Sequence, residues 1–431
     1  MKTYIKTLGL SGVALLPLAV SQHAAAAGFQ LNEHSVTGIG RAYAGETAVG
    51  DTAAVIARNP AAMSLFDKRS LSAVLHYIDP AIDVEGYNTS LAYDASKEDV
   101  APSEVVPGFY YVSPINDQLA WGLAVNSNFG LSTDYGSGYA GSEFAQKTSI
   151  KTYNLTPSIS VQFTDSFSVG LGVSYIYGEG EITSTASAAT ATYTGSAISE
   201  GTTLLDLEGD GDRFGWNLGM LWQMDENSRI GFRYQAAVDL VLDGDMSMFV
   251  TPLDNPLVTP PGTVMDFTGS LTINLPEVWE VGYFRQLNDQ WSVMASVVNS
   301  RWSSFQSLTA DIDGVGDKLL KEEKWTDAWT YSLGAEVKLS ELTTLRFGYG
   351  VDESPVQDEY RSLTIPDADR TWYSVGASFN LQNSGSIDMA VLYIDGDSVE
   401  VDETFKTYTN FHGELDSMSV MIYSIGYNYS Y

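Results

Sequence analysis

Apolar and polar residues alternate along nearly the whole chain, and this period of two is the feature that most constrains the fold. Between 153 and 163 the odd positions are Tyr, Leu, Pro, Ile, Val and Phe, and the even positions are polar. The last nine residues repeat the pattern, with Ile425 and four tyrosines separated by Ser, Gly and Asn. Because successive strand side chains point to opposite faces, each segment predicts a strand with one apolar, aromatic face and one small or polar face.

The N-terminus indicates export. Lys2 and Lys6 precede the apolar stretch 8–20, and Ala24 to Ala26 follow as small residues of a cleavage site. This order predicts a signal peptide over 1–26, with an uncleaved anchor as the alternative. After residue 26 no apolar run approaches the roughly 18 residues that a membrane helix needs. An exported chain of this kind is either soluble or a β-barrel.

The lengths of the connections distinguish these two, because a soluble β-sandwich also alternates. Short connections alternate strictly with long polar ones, as expected of an up-and-down membrane barrel with tight periplasmic turns and large external loops. The short ones are 114–118, 164–166, 225–228, 286–290, 340–343 and 383–386; the long ones are 79–104, 130–150, 178–212, 243–264, 300–327, 352–370 and 395–417. They predict an all-β transmembrane protein, a fourteen-stranded antiparallel outer-membrane barrel with both ends periplasmic. The count requires that 265–285 is one strand interrupted at Pro276.

The segment that precedes the first predicted strand has a different composition. Residues 27–68 do not alternate, are rich in Gly and Ala, and contain Asn59-Pro60-Ala61. Asn as N-cap with Pro at the first helical position predicts a helix to about Phe66, and a second short helix is predicted over 51–57. A barrel of this width needs its lumen filled if it is not to leak. We therefore predict a partly helical plug, or hatch, over 27–68 inside a barrel formed by 69–431.

Composition excludes several other functions. The chain has 54 acidic and 22 basic residues, for a formal charge of −32, so the phosphates of nucleic acid would be repelled. It has no Cys, which excludes disulfides and thiolate sites. His34, His76 and His412 accompany no recognisable nucleophile motif, so no enzyme is predicted. We predict no cofactor and no metal; the carboxylates of 206–212 are expected in solvated loops, with a Ca²⁺ site as the alternative.

Several short motifs follow one another along the chain: 27–33 (AGFQLNE), 40–46 (GRAYAGE), 58–61 (RNPA), 77–80 (YIDP), 114–118 (PINDQ), 275–281 (LPEVWEV), 352–356 (DESPV) and 365–370 (IPDADR). In this order they resemble one known family, the FadL family of outer-membrane long-chain fatty-acid transporters. The similarity spans the mature chain and weakens in loops 79–104, 178–212 and 243–264. The resemblance implies a fourteen-stranded barrel with an N-terminal hatch, which agrees with the count from the connections.

The resemblance also implies site residues. Phe29 would lie against the bound tail, and Asn59, Pro60 and Ala61 would form the turn that holds the hatch. Phe129 and Gly130 would lie at a kink of the third strand, although a Gly at a strand end is more often only a turn or bulge.

For the carboxylate of the ligand the resemblance implies Lys321. A second basic position of the family falls near Ser184 here, so recognition could rest on Lys321 alone, on Lys324, on Arg213, or be weak. From the residues alone, a Lys in a charged loop is usually solvated surface.

The implied function is uptake of long-chain fatty acids: capture in an external hydrophobic groove, transfer to a lumen site near the hatch, and sideways exit at the kinked strand. Burying a sixteen-carbon tail offers about 12 kcal/mol, at about 0.8 kcal/mol per methylene. Uptake of other hydrophobic compounds, such as aromatic hydrocarbons, is the alternative, followed by an adhesive barrel or a lipid hydrolase. The expected partners are the hydrophobic ligand, outer-membrane lipid and lipopolysaccharide, and the barrel-assembly machinery.

Overall fold

A computed structural model of the chain describes residues 28–88, 92–250, 262–381, 384–406 and 409–431. The predicted signal peptide and its cleavage site lie outside the described residues. Helices are few and short: α1 (Val36–Ile39), α2 (Val55–Arg58), α3 (Ala188–Tyr193) and three 3₁₀ helices, Pro60–Leu65, Trp302–Ser304 and Asp358–Tyr360. Among the described residues, no helix has the length and apolar character needed to cross a membrane.

Twenty-one strand segments make up most of the described chain. Those of the first half are β1 (Ser70–Asn88), β2 (Tyr93–Asp94), β3 (Glu104–Asn116), β4 (Leu119–Asn126), β5 (Gly130–Asp134), β6 (Lys147–Thr164), β7 (Phe167–Thr185), β8 (Thr203–Asp225), β9 (Ser228–Gln235) and β10 (Val238–Val250). Those of the second half are β11 (Thr263–Leu275), β12 (Val278–Gln286), β13 (Trp291–Ser300), β14 (Ser307–Ile312), β15 (Gly316–Glu322), β16 (Ala328–Lys338), β17 (Thr343–Asp352), β18 (Arg370–Asn380), β19 (Gly385–Gly396), β20 (Val399–Phe405) and β21 (Thr409–Ser430).

These segments form a closed antiparallel barrel of 14 strands. The ring closes where the first strand pairs with the last, from Ser70 opposite Ser430 to Asn88 opposite Phe411. Several of the 14 strands are interrupted; β11 and β12, for example, are the two halves of one strand broken at Pro276. The predicted fold class and strand count are confirmed. Large apolar side chains such as Leu75, Tyr423 and Ile425 face outward and are 46–47% exposed, as a lipid-facing wall requires.

The two ends of the barrel differ in how well the sequence predicts them. At one end, the short-turn end, the connections lie where the alternation places them. At the other, the long-loop end, the strands run much farther than predicted: β7 and β8 take up about half of the predicted loop 178–212, and β14, β15 and β20 lie within predicted loops. The apolar side chains of these extensions, such as Leu207, Leu308 and Ile312, are buried in the interior. Their other face is mostly polar, because a strand beyond the bilayer needs no lipid-facing apolar band.

Residues 28–68, here called the lumen segment, lie inside the barrel. They are almost all buried, and α1 packs on β18, β19 and β21, while the 3₁₀ helix Pro60–Leu65 packs on β6, β7 and β8. The helix predicted over 51–57 is one turn, Val55–Arg58. Asn59 caps the 3₁₀ helix, accepting a hydrogen bond from the Ala61 amide at 3.0 Å.

Glycines in the barrel wall allow this close packing. A Cβ at Gly231 would fall 1.9 Å from the Thr47 carbonyl oxygen, and one at Gly348 would fall 2.1 Å from the Arg41 carbonyl carbon. Both distances are far shorter than van der Waals contact, so the backbone of the lumen segment can approach only a wall without side chains there.

Candidate functional site

The lumen segment is bonded to the wall by a buried ion-pair cluster. The guanidinium of Arg58 lies 3.3 Å from Glu46 and 3.3 Å from Glu280 of β12, and it donates to the Asn32 side chain at 2.7 Å. Arg233 of β9 lies 3.6 Å from the same Glu280. Burial raises the pKa of Glu46 to about 7, against the opposing effect of Arg58. Buried charges of this kind are tolerated only when paired, so the cluster fixes the segment in one position.

A second ionic contact joins another part of the segment to the wall. Arg41 donates to Asp51 at 2.7 Å and lies 3.7 Å from Glu336 of β16, and Glu336 accepts from Arg346 of β17 at 3.0 Å. Together the two clusters tie the lumen segment to one arc of the barrel, from β9 and β12 to β16 and β17.

Asn59, Pro60 and Ala61 form a third attachment. The Asn59 amide donates to the carbonyls of Thr47 at 2.6 Å and Met220 at 2.9 Å, in addition to capping the helix. The Ala61 carbonyl accepts from Ser160 of β6 at 3.1 Å. Asn59 is therefore an anchor to β8 as well as a cap, which the capping pattern alone did not indicate.

The start of the lumen segment pairs with a break in the third wall strand. β4 ends at Asn126 and β5 begins at Gly130. Gln30 forms a β-bridge with Phe129, and the Gly130 amide donates to the Phe29 carbonyl at 2.9 Å. The backbone of Gly130 is not left-handed. The break is thus made by the inserted segment rather than by the conformational freedom of the glycine.

Above the break the wall is open on one side. The ladder between β3 and β4 ends at Phe109 opposite Val125, while β5 pairs with β6. Within the described residues no ladder joins β5 to β3. The loop before β3 covers this edge, because the Asp134 amide donates to the Val100 carbonyl at 2.8 Å.

Phe29 lies at the centre of five buried rings, here called the aromatic cluster: Phe29, Phe129, Trp302, Phe305 and Trp325. Its ring centroid is 4.6 Å from that of Trp302, 5.7 Å from Phe305 and 5.8 Å from Trp325, mostly edge to face. Phe29, Trp302 and Phe305 are completely inaccessible to solvent. The rings fill the lumen above the ion-pair cluster, so a ligand can occupy this position only if rings move aside.

A groove of about 480 Å³ lies at the long-loop end. Most of its lining is apolar, from Phe144, Ile182, Leu204, Leu205, Met248, Phe249, Leu308, Leu320 and Phe405. The groove and the aromatic cluster belong to one continuous set of packed apolar side chains, which Met248 and Leu308 share. This continuity gives an apolar connection from the outer end of the barrel to Phe29.

The candidate cations fall in different places. Lys321 lines the groove and donates to Glu403, with Thr364 Oγ1 at 3.4 Å, and Ser184 lines the same groove. Lys324 is not a lining residue; it donates to the Tyr360 hydroxyl at 2.9 Å and its side chain is 44% exposed. Arg213 is exposed on β8 and donates to the Asp212 carbonyl at 2.8 Å. The structure thus places Lys321 in the groove and leaves Lys324 and Arg213 outside it.

Glu323 lies between the groove and the aromatic cluster, and sequence reasoning missed it. Its Oε2 accepts from the Trp325 indole at 3.1 Å, while Oε1 has no hydrogen-bond partner among the described residues. Burial raises the pKa of Glu323 to about 7, opposed by Lys321. Sequence reasoning also missed Trp302, Phe305 and Trp325, although three large aromatic residues in a supposedly solvated loop were an available signal.

The acidic residues from Asp206 to Asp212 lie in β8, not in a loop. Their side chains are on one face of a strand, so neighbouring carboxylates are about 7 Å apart along it, too far for the oxygens of one ion. Across the described ranges, no group of three or more His, Cys, Asp or Glu is arranged to hold a metal ion.

Comparison with known proteins agrees with this geometry. The family model described as outer membrane protein transport protein (OMPP1/FadL/TodX) matches residues 17–431. A long-chain fatty acid transport protein from Escherichia coli O6:H1 is 35% identical over 411 residues, covering 91% of this chain and 92% of the relative.

Two crystal structures share the fold. A Pseudomonas aeruginosa FadL homologue has a TM-score of 0.84 at 24% identity, over 94% of this chain and 99% of its own. The P. putida toluene transporter TodX has a TM-score of 0.69 at 17% identity, over 95% and 99%. The family resemblance of the motifs is confirmed. The chain is an outer-membrane β-barrel of a Gram-negative bacterium and belongs to the OMPP1/FadL/TodX family of outer-membrane transport proteins, whose members are transport channels rather than enzymes.

Proposed function

We propose that this protein takes up long-chain fatty acids across the outer membrane. The observation that carries the proposal is the continuous apolar connection between the loop-end groove, with Lys321 in its lining, and the aromatic cluster around Phe29. A tail can leave water at the groove and remain in apolar surroundings as it advances, while an aqueous pore offers no such gain. The relatives named as long-chain fatty acid transport proteins support the same cargo.

In this proposal the lumen segment is a hatch. Its ion pairs and the Asn59 anchor keep it in the barrel, so hydrophilic solutes have no passage. Phe29 contacts the tail once the rings of the aromatic cluster separate. Because the Phe29 carbonyl accepts from Gly130, movement of Phe29 is linked to the break in the third strand. The ligand then leaves sideways above that break, where β5 lacks a ladder to β3.

Uncharged cargo such as an aromatic hydrocarbon is the second candidate. Two observations favour it: Lys321 is already paired with Glu403, and Ser184 supplies only a hydroxyl where a second cation was sought. The fold shared with a toluene transporter is compatible with it. In either case the outward band contacts lipid and lipopolysaccharide, and we propose that the barrel-assembly machinery is a partner during insertion.

Uptake in cells separates the two candidates. We expect the protein to restore uptake of labelled oleate in a strain that lacks its own importer, and Phe29→Glu to reduce that uptake severalfold because a carboxylate among four other rings opposes entry of the tail. Tyr193→Glu, an exposed position of α3, is the matched control and should transport normally. Rescue of toluene entry without rescue of oleate uptake would reverse the order of the candidates.

The exit route is tested without a mutation. A fatty acid with a photoreactive diazirine in mid-chain should crosslink to residues 127–130 and to neighbouring phospholipid during uptake. Crosslinks confined to the lumen face of the opposite wall, around β17 and β18, would contradict lateral exit.

A further inference from the structure

Lys321, one of the cations of the loop-end groove, is already paired with a carboxylate of the protein itself. Lys321 of β15 donates to one carboxylate oxygen of Glu403, a residue of β20 that is 82 positions away in the chain. The side chains are only 21% and 11% exposed, so water screens the pair incompletely. Both residues line the groove.

Glu403 is also held from its other side. Its second oxygen accepts from the Leu363 amide at 3.1 Å. Along β20, Val401, Glu403 and Phe405 are turned inward while Glu400 and Asp402 are exposed. Strand direction and a backbone hydrogen bond therefore position this carboxylate, and it would stay in the groove even if Lys321 turned away.

We propose that Glu403 is a specificity-determining residue of the groove. It occupies the position that the carboxylate of a ligand would take on Lys321, so the groove favours cargo with an uncharged or protonated head group over an ionised fatty acid. The inference rests on the proposed function, because it concerns which hydrophobic molecules the same groove accepts.

The physical reason is that two carboxylates cannot share one half-buried ammonium without strong mutual repulsion. A ligand carboxylate that displaced Glu403 would exchange one ion pair for another and leave Glu403 with only the Leu363 amide. Lys321 then adds little net affinity for an ionised head group, while the apolar lining still binds the tail of either form.

Four other charged residues line the groove: Glu143, Lys318, Glu322 and Lys406. One oxygen of Glu143 accepts from Asn88, Thr190 and Thr409 at 2.7–3.2 Å, so this carboxylate is held by other partners. Glu322 forms a surface pair with Lys324. Lys318, whose ammonium lies 2.8 Å from the Met248 sulfur, and Lys406, whose ammonium lies 5.9 Å from the centre of the Phe405 ring, also line the groove. They are the alternative cations that the experiment must separate.

The test compares an acid with its own ester. The mature protein in amphipol is titrated at pH 8.5 with cis-parinaric acid and with its methyl ester, whose polyene fluorescence reports entry into an apolar site. Glu403→Gln should tighten binding of the acid about tenfold, the size of one charge-assisted hydrogen bond, and leave the ester unchanged. Glu400→Gln removes a charge from the opposite face of the same strand and should change neither.

A second variant makes the result specific to Lys321. Lys321→Met added to Glu403→Gln should abolish the gain in acid binding and leave the ester unchanged, because the gain depends on the ammonium that Glu403→Gln sets free. An unchanged acid-to-ester ratio in Glu403→Gln, as expected if the acid uses Lys318 or Lys406, overturns the proposal. So does equal weakening of both probes, which would assign Glu403 a purely structural role. If neither probe binds the unmodified protein, the proposed function itself fails.

Discussion

The lower and upper halves of the barrel interior are held together in different ways. Near the short-turn end, the lumen segment is held by directional polar contacts. Arg58 with Glu280 and Asn59 with the Met220 carbonyl join it to the wall, and Arg58 with Glu46 and Asn59 with the Thr47 carbonyl hold it together internally. Toward the long-loop end, the aromatic cluster and the groove are held by apolar contacts, which have no required direction. Under the proposed function, a hydrophobic ligand replaces the second kind of contact and not the first.

Under the proposed function, this contrast would explain how one barrel excludes hydrophilic solutes and still admits a hydrophobic ligand. Breaking a buried ion pair leaves an uncompensated charge, which costs about 3–5 kcal/mol. Exchanging ring-to-ring contacts for ring-to-tail contacts costs far less, because one apolar surface substitutes for another. The polar half is therefore expected to stay closed while the apolar half opens.

Removing Arg58 should break the seal and give the largest effect. Arg58→Ala leaves Glu46 without its nearest cation and weakens the hold on β12 by about 3–5 kcal/mol. We expect liposomes reconstituted with the variant to swell in arabinose, and liposomes with the unmodified protein not to swell. Lys338→Ala removes an exposed pair with Glu341 and is the control that should not leak. A tight Arg58→Ala barrel would mean that the ion pairs do not form the seal.

The buried carboxyl of Glu323 lies in the apolar half, and the variant Glu323→Gln tests whether that carboxyl is protonated in the folded protein. Its pKa is raised to about 7 in the folded protein, so the folded state binds the proton more tightly than the unfolded state. The contribution of Glu323 to the free energy of unfolding is largest at pH values below the pKa of the unfolded state. It decreases as the pH rises toward 7 and no longer changes above pH 7. Glu323→Gln has no carboxyl to ionise, so its free energy of unfolding does not show this loss. Between pH 4 and pH 8, the free energy of unfolding of the variant should therefore rise by roughly 3 kcal/mol relative to that of the unmodified protein.

Urea unfolding in lipid vesicles at the two pH values measures this gain. The control is Glu322→Gln, because that carboxylate is exposed and pairs with Lys324 at the surface. A pH dependence that is the same in Glu323→Gln and in the unmodified protein would show that the Glu323 carboxyl is ionised in the folded state.

The smallest expected effect separates the two roles of Asn59. Asn59→Ser keeps a side-chain oxygen for the Ala61 amide but cannot reach the carbonyls of Thr47 and Met220, and Asn59→Ala loses all three contacts. We expect each change to loosen the lumen segment, with Ala costing about 1 kcal/mol more than Ser, the size of a helix cap. Hydrogen exchange of the amides of 60–66 measures it. Equal exchange in the two variants would show that the cap contributes nothing here.

The sequence predicted the membrane-spanning wall and the short-turn end better than it predicted the long-loop end. Alternation and turns predicted the 14 strands and the tight connections, because the alternation of a lipid-facing strand is a local property. The Asn59-Pro60 pattern indicated a helix start there, and the structure has a 3₁₀ helix from Pro60 to Leu65. Predictions for the long-loop end were less accurate, since 206–212 and parts of 300–327 and 395–417 are strands. Outside the bilayer these strands lack the lipid-facing apolar band of the wall, and the alternation that they do have covers only short stretches such as Ser307–Ile312.

The amino-acid sequence by itself determined the kind of wall, its strand number and the family to which the chain belongs. Only the tertiary structure decided which distant residues are in contact. Phe29 packs against Trp302 and Trp325. Arg58 forms an ion pair with Glu280, and Lys321 forms one with Glu403. The reason is physical: side-chain periodicity depends on neighbours in the chain, whereas contacts across the lumen depend on the stagger of all the strands, which is fixed only when the ring closes.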